Sequence, residues 1–289
     1  MENDYDKHDN YDNSFMPNFD RADIDTTKPV ISISNILEQL TKPFDSAAVA
    51  QKVYDKHFNN PESQYYQMTI EQIVEAWSNK GAESCRYGSL LDDYIGITLT
   101  KTPDDMELYK LDHNYDYDER LHGLCDSFDN FYKVLTRSGD MQFIDREKTV
   151  YYDMGEFYVK GRFDALFRNN KTGKWVVIDW KSSGIIDKTN RFDKLLGPAM
   201  KFDACNWNTY TMQLYFYKKT LVDSGYLPAG TTYDDVEVLI VHMPGHVIED
   251  TNENYEICKA AFPFDSELMT RIYWFGFRKK QLLEKQKEA

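Results

Sequence analysis

The chain's fold turns on the stretch Gly161-Arg162-Phe163-Asp164-Ala165-Leu166-Phe167, followed by Asn170-Lys171-Thr172-Gly173 and then Val176-Val177-Ile178-Asp179-Trp180-Lys181. β-Branched and aromatic residues on both sides of a turn bearing Asn and Gly are hairpin chemistry. If the turn closes with Asn169 opposite Lys174, then Phe167 faces Val176, Ala165 faces Ile178 and Phe163 faces Trp180. One face is then apolar throughout. On the other face Asp164 stands directly opposite Asp179, and Lys181 points the same way two residues further on. Cross-strand Cβ atoms about 5 Å apart let two carboxylates converge on one hard cation, which makes a metal site. An isolated D-x-K tripeptide usually marks a solvated strand face. Here the rest of the strand is Val-Val-Ile-Trp and therefore buried, and charged residues are rare in such a strand unless paired or ligating.

Working outward, 148–152, 157–167, 175–181 and 236–242 read as strands, with a helix at 207–222 between the last two and another at 266–284. Upstream the pattern is helical. A first helix over 31–40 takes Ser34 as its N-cap, Asp45 caps a second running to Phe58, and Thr69 with Gln72 has capping-box spacing for a third over 70–77. A fourth spans 82–95 and a fifth 121–135, the latter with Leu124, Phe128, Phe131 and Leu135 on one stripe. The expected class is α/β: a central mixed β-sheet flanked by helices and preceded by a helical region. Residues 1–30 read as a disordered acidic arm, and 31–289 as a single domain divided into a helical region (31–140), the core (141–245) and a C-terminal helical segment (246–289).

A formal net charge of −14 is the wrong sign for a generic polyanion binder, but its distribution is uneven. Much of the acidity lies in the N-terminal arm and between Asp104 and Asp129, whereas the segment from Lys181 to Lys219 is locally basic. No apolar run has the roughly 18 residues of a membrane span, and the acidic N-terminus is unlike a secretory signal, so a soluble, cytoplasmic protein is expected. Cys85, Cys125, Cys205 and Cys258 form no C-x-x-C pair and read as free, reduced thiols.

At this point the chain resembles the PD-(D/E)XK nuclease superfamily, in its RecB-like and phage or mitochondrial exonuclease branch. Gly161 to Asp164 looks like the motif of the first metal-binding aspartate. Ile178-Asp179-Trp180-Lys181-Ser182-Ser183 looks like the (D/E)-x-K strand, and Gln213-Leu214-Tyr215-Phe216-Tyr217 matches the Q-x-x-x-Y helix motif. Trp77, Gly81 and Gly88-Ser89-Leu90-Leu91-Asp92 are similar to a W…G…G-[TS]-x-x-H pattern, with two departures: Asp92 stands where a histidine is common, and Phe163 replaces the proline of the nominal motif. The resemblance covers residues 30–245; each motif is weak alone, but the ordered set is specific.

The resemblance implies a restriction-endonuclease-like core and a deoxyribonuclease dependent on Mg²⁺ or Mn²⁺, acting as an exonuclease on linear or single-stranded DNA. Replication, recombination or end processing would be its setting, in a bacterial or phage-infected cytoplasm and with a replication or recombination protein as a candidate partner. Asp164, Asp179, Lys181 and Gln213 would be catalytic. Asp164, Asp179, the Trp180 carbonyl and Asp92 would hold the metal, although Asp92 and Asp93 read equally as an exposed helix face. Tyr217, Lys218, Lys188, Arg191 and Lys194 would touch DNA, the last three on a loop over 182–207 that reads as a mobile basic flap. Gln213 and Tyr217 share a helix face, where they either grip phosphate or pack a buried helix. Glu147 is an additional acid or a surface residue, His122 a site residue or a helix histidine, and Tyr65, Tyr66, Tyr87 and Trp207 stack bases or pack. A structure-specific or restriction-type endonuclease is the alternative enzyme. A non-catalytic acidic DNA mimic or assembly protein is the alternative of another class.

Overall fold

The computed structural model describes residues 16–19, 24–100, 103–248 and 253–288. The hairpin forms between β5 (Ala165–Asn169) and β6 (Lys174–Lys181) in the expected register, with Asn169 opposite Lys174, Phe167 opposite Val176 and Ala165 opposite Ile178. Its turn is fixed locally: the Asn169 side chain accepts from the backbone N–H groups of Lys171 and Thr172, and Gly173 takes φ +73°. β6 is the middle strand of a five-stranded mixed sheet, ordered β2-β5-β6-β7-β8, with β2 at Met141–Arg146, β7 at Val236–His242 and β8 at Glu256–Cys258. β6 and β7 run parallel, so the chain between them must cross over, and α6 (Asn206–Asp223) makes that crossing.

Both faces of β6 are covered. Val176, Ile178 and Trp180 pack with Leu91, Ile95, Leu124 and Phe128, from α3 (Ile70–Thr100) and α5 (Glu119–Thr136). Trp175 and Val177 pack on the opposite side with α6 and with α1 (Ile33–Glu38) and α7 (Ser266–Glu288). Burial on both faces is why β6 reads as a continuous apolar run rather than an alternation. The fold class is the expected one, a mixed sheet between helical layers with a helical region before it.

A second sheet was not foreseen. β1 (Val30–Ser32), β4 (Tyr158–Arg162) and β3 (Thr149–Asp153) form three strands in the order β1-β4-β3, with β1 parallel to β4. The single strand expected over 157–167 is therefore two strands in different sheets, joined at Phe163–Asp164. Because the chain changes direction there, Phe163 does not face Trp180; its ring lies among Phe19, at 5.5 Å, and Tyr217, at 6.2 Å. β-Rich residues on both sides of the joint conceal it in the sequence.

The helical region also differs in detail. Residues 30–32 are strand, so Ser32, not Ser34, caps α1 by accepting from Asn35 N. Asp45 caps α2 (Ser46–His57) as expected, and the reciprocal Thr69–Gln72 box opens α3. That helix then runs unbroken to Thr100, fusing the expected third and fourth helices, and α4 (Pro103–Asp112) follows. Residues 1–15 and 20–23 of the expected disordered arm lie outside the described residues, and its described part is docked: Asn18 N donates to the Tyr226 carbonyl, and Phe19 stacks on Tyr226. The basic loop after β6 is packed rather than a free flap, with Ile186, Leu195 and Ala199 buried in the core. No described helix is long and apolar enough to cross a membrane, and all four cysteines are free.

Candidate active site

Strand alternation sends Asp179 and Lys181 to the α6 side of β6, below the C-terminal end of the parallel pair. Asp179 is 0% exposed; its Oδ1 has no hydrogen-bond partner, and its Oδ2 has only the Lys181 ammonium. The Lys181 ammonium stands 2.6 Å from Asp179 Oδ2 as an ion pair and 4.5 Å over the Tyr210 ring. Asp164 sits one residue before β5, where the ladder to β6 has ended. That leaves the Trp180 N–H free, and it donates to Asp164 Oδ2 at 2.8 Å. Lys181 O accepts from Met243 N on the β7 side, so the N–H and carbonyl of Trp180 both face the Asp164 side, as alternation along a strand requires. The Asp164 carbonyl accepts from Glu147 N, fixing the joint between the sheets.

Charge is concentrated here under poor solvation. Burial and then the neighbouring Asp179 push the Asp164 carboxyl up to about 7, against the opposing pull of Lys181. Burial likewise raises Asp179, with Lys181 opposing. For Lys181, burial works to strip the proton, but the two carboxylates outweigh it and hold the ammonium charged.

Asp164 and Lys181 open on a cleft of 390 Å³ whose lining also includes Gly88, Asp92, Glu147 and Arg162, with Asp179 buried behind them. Its rim is a chain of alternating charges. Arg146 lies 3.0 Å from Asp92 Oδ1 and donates to the Asp92 carbonyl; it stands 3.5 Å from Glu147, which pairs in turn with Arg162 at 3.2 Å. The guanidinium occupies space that a side chain at residue 96 would take, since a Cβ there would fall 1.5 Å from Arg146 Nη1. Asp92 thus lines the cleft but is engaged by Arg146. Among the described residues no three His, Cys, Asp or Glu side chains stand close enough to cage a metal. The available donors are the carboxylates of Asp164 and Asp179 and the Trp180 carbonyl, a set of hard oxygens that suits Mg²⁺ or Mn²⁺ with water in the remaining positions. The unpartnered Oδ1 of Asp179 is what such an ion would satisfy.

Of the other residues singled out in the sequence, Gln213 donates to Tyr217 Oη, and Tyr217 Oη donates to the Arg162 carbonyl at 2.7 Å. Tyr217 is fully buried, so its hydroxyl braces β4 rather than projecting outward. α6 approaches closely because residue 161 is glycine; a Cβ there would meet Phe216 at 2.4 Å and Tyr217 at 2.8 Å. Lys218 is not brought to the cleft: it lies over Phe264 and feels Lys174, Asp234 and Glu237, at the opposite end of the sheet. Lys188 pairs with Glu256 and Lys194 with Asp203, while Arg191 is exposed, and none of these three lines the cleft. Glu147 lines it. His122 is on α5 beside Asp126, while Tyr65, Tyr87 and Trp207 use their polar atoms in packing contacts with Trp77, Asp118 and the Lys259 carbonyl.

The sequence reading gave no role to Arg146, Arg162 or Tyr210. Arg162 is two residues before Asp164, and Tyr210 is one helical turn before Gln213, so spacing carried a signal for both. Arg146 offered none, because it reaches the cleft through a glycine 50 residues upstream.

No family model and no curated protein matches the chain. Among solved structures it is similar to a crystal structure described as "Putative exonuclease" from Eubacterium rectale, at 12% identity and a TM-score of 0.42, over 89% of this chain and 81% of that one. It is also similar to the crystal structure of SSO0001, at 14% identity and a TM-score of 0.31, over 86% of this chain and 75% of that one. Neither likeness assigns the chain to a family.

Proposed function

We propose that this chain is a metal-dependent deoxyribonuclease of the PD-(D/E)XK type, an exonuclease that hydrolyses phosphodiester bonds of linear or single-stranded DNA with Mg²⁺ or Mn²⁺. The observation that carries the reading is Asp179: a carboxylate sealed in the protein, with the Lys181 ammonium as the one partner of Oδ2, no hydrogen-bond partner at Oδ1, and close enough to Asp164 to raise its pKa. Buried like charges are costly to keep, and a packing role would be better served by apolar residues. Perturbed acids grouped with a lysine in a cleft are the pattern of a reacting site.

When bound, a divalent cation supplies Lewis-acid polarisation and makes water at the site more acidic. Asp164, Asp179 and the Trp180 carbonyl would hold it. Lys181, kept charged by both carboxylates, orients the attacking water and stabilises negative charge as it builds on the phosphoryl group. Gln213 and Tyr217 act at one remove, bracing the Arg162 carbonyl and hence the segment that delivers Asp164.

The test is cleavage of linear single strands, linear duplex and closed circular DNA with Mg²⁺, Mn²⁺ or EDTA, using wild type beside Asp179→Ala and Lys181→Ala. Linear substrates are degraded with metal and spared in EDTA, circles survive, and both variants lose about 10³-fold in turnover. Cutting of circles would replace the exonuclease by an endonuclease. Activity persisting in both variants would remove the assignment altogether.

A further inference from the structure

The small sheet has one face against the core and one face open, and the open face leads to the cleft. Ile31, Val150, Val159 and Gly161 point inward. Alternation and register put Ser32, Lys160 and Tyr151 in one row across the opposite face, with Thr149 and Arg162 in the next row. Lys160 and Arg162 are exposed. Among the described residues Lys160 has no ion-pair partner, and Arg162 has only Glu147. A groove of 430 Å³ lies along this face, lined by Ser32, Ser34, Thr149, Tyr151, Lys160 and Arg162 and closed by Gln213 and Tyr217. Arg162 lines both this groove and the cleft of Asp164 and Lys181, so the two adjoin at its side chain.

We propose that the open face of the β1-β4-β3 sheet is the binding track for a single strand of nucleic acid, with Lys160 and Arg162 on successive phosphates and Tyr151 under a base, and that it delivers the strand to Asp164 and Asp179. Two residues apart on one strand, Lys160 and Arg162 rise from backbone positions about 6.8 Å apart, comparable to the spacing of phosphates along an extended single strand. A groove of 430 Å³ has room for about one nucleotide. Cations that follow the backbone, interleaved with an aromatic platform, form the recurring surface for single strands. Against a net charge of −14, two exposed cations side by side next to the cleft, of which Lys160 has no ion-pair partner among the described residues, are informative. This inference rests on the nuclease reading for what happens at the end of the track, but strand binding is measurable without hydrolysis.

The experiment is fluorescence anisotropy of a labelled 16-nucleotide thymidine oligomer in EDTA, across 50–200 mM NaCl, on the full chain. Lys160→Ala with Arg162→Ala weakens binding at least tenfold and flattens the slope of log K against log salt by about 1.4, the loss of two phosphate contacts. Tyr151→Leu weakens it about tenfold with the slope unchanged. Lys171→Glu, on the hairpin turn at the far end of β5 and β6, leaves the dissociation constant within twofold. Unlabelled blunt duplex competes at least tenfold less well than unlabelled single strand. Unchanged affinity and slope in the double alanine variant overturn the track, as does an equal loss in Lys171→Glu or equal competition by duplex. Binding that behaves as expected in a chain with no metal-dependent cleavage keeps the track and discards the nuclease. Metal-dependent cleavage with an unaffected double variant does the reverse.

Discussion

The two ends of β6 carry the same chemical pair under opposite conditions. At the start, Lys174 meets Glu237 at 2.8 Å with the side chains 41% and 50% exposed. At the finish, Lys181 meets Asp179 at 2.6 Å with the side chains 18% and 1% exposed. Water solvates the first pair almost as well apart as together, so its attraction is largely cancelled and screened. The second pair has lost its water and gained a second acid, Asp164, and its charges act on one another with little attenuation. Eight residues of one strand thus span a surface contact and a buried charge cluster; the difference is made by what packs over each end, not by residue type.

The sharpest way to break that comparison is to remove the lysine at each end. Lys181→Ala is expected to cost about 10³-fold in turnover on linear DNA, while Lys174→Ala leaves it within twofold; equal effects would show that burial does not distinguish the ends. Gly161→Ala is next. A methyl group aimed at Phe216 and Tyr217 forces α6 off β4, with an overpacking cost of about 1–3 kcal/mol and a melting temperature several degrees lower. Circular dichroism reads the shift, and an unshifted melt would mean that the close approach of α6 is not tight.

Acidity sharpens the contrast further. With its folded pKa raised to about 7 and an unfolded value near 3.9, Asp164 holds a proton in the native state that the unfolded chain has lost across that interval. Stability therefore falls as pH climbs from about 4 to about 7 and is level above it, with Asp179, also raised, adding in the same direction. Melts in metal-free buffer would show the decline, and Asp164→Asn would flatten it; a variant retaining the full slope would place the responsible proton elsewhere. Adding Mg²⁺ above pH 7 should raise the melting temperature of the wild type but not of Asp179→Asn, since an ion that binds only the folded chain stabilises it. The smallest expected effect is that of Lys174→Ala with Glu237→Ala, about 1 °C or less in the melt.

The cluster was legible because a hairpin imposes arithmetic. Once Asn169 is set opposite Lys174, the partners of Phe167 and Ala165 follow, and so does the approach of Asp164 to the end of β6. α6 was legible from Trp207, Leu214 and Phe216 because its core is local in sequence. What failed was the frame around the site. Residues 157–167 look like one strand because turning a chain between two sheets needs no breaker when Phe163 finds a pocket on the far side. Residues 31 and 32 look like the start of a helix because a three-residue parallel strand exists only through β4, more than 120 residues away. Arg146 was invisible for the same reason: its partner Asp92 lies on α3, and its resting place depends on the absence of a side chain at Gly96. Asp92 consequently read as a free acid, and nothing within its own helix said otherwise.

The parallel pairing of β6 with β7 has a consequence in time as well as in space. The segment 182–235, with α6 inside it, must close before β7 can dock, and the contacts that shape the cleft join residues 54 apart (Arg146 to Asp92) and 55 apart (Tyr217 to Arg162). Contacts of such long range form late, because closing a loop costs entropy before anything is gained. Asp164, Asp179 and Lys181 are therefore all synthesised well before the cleft around them is assembled.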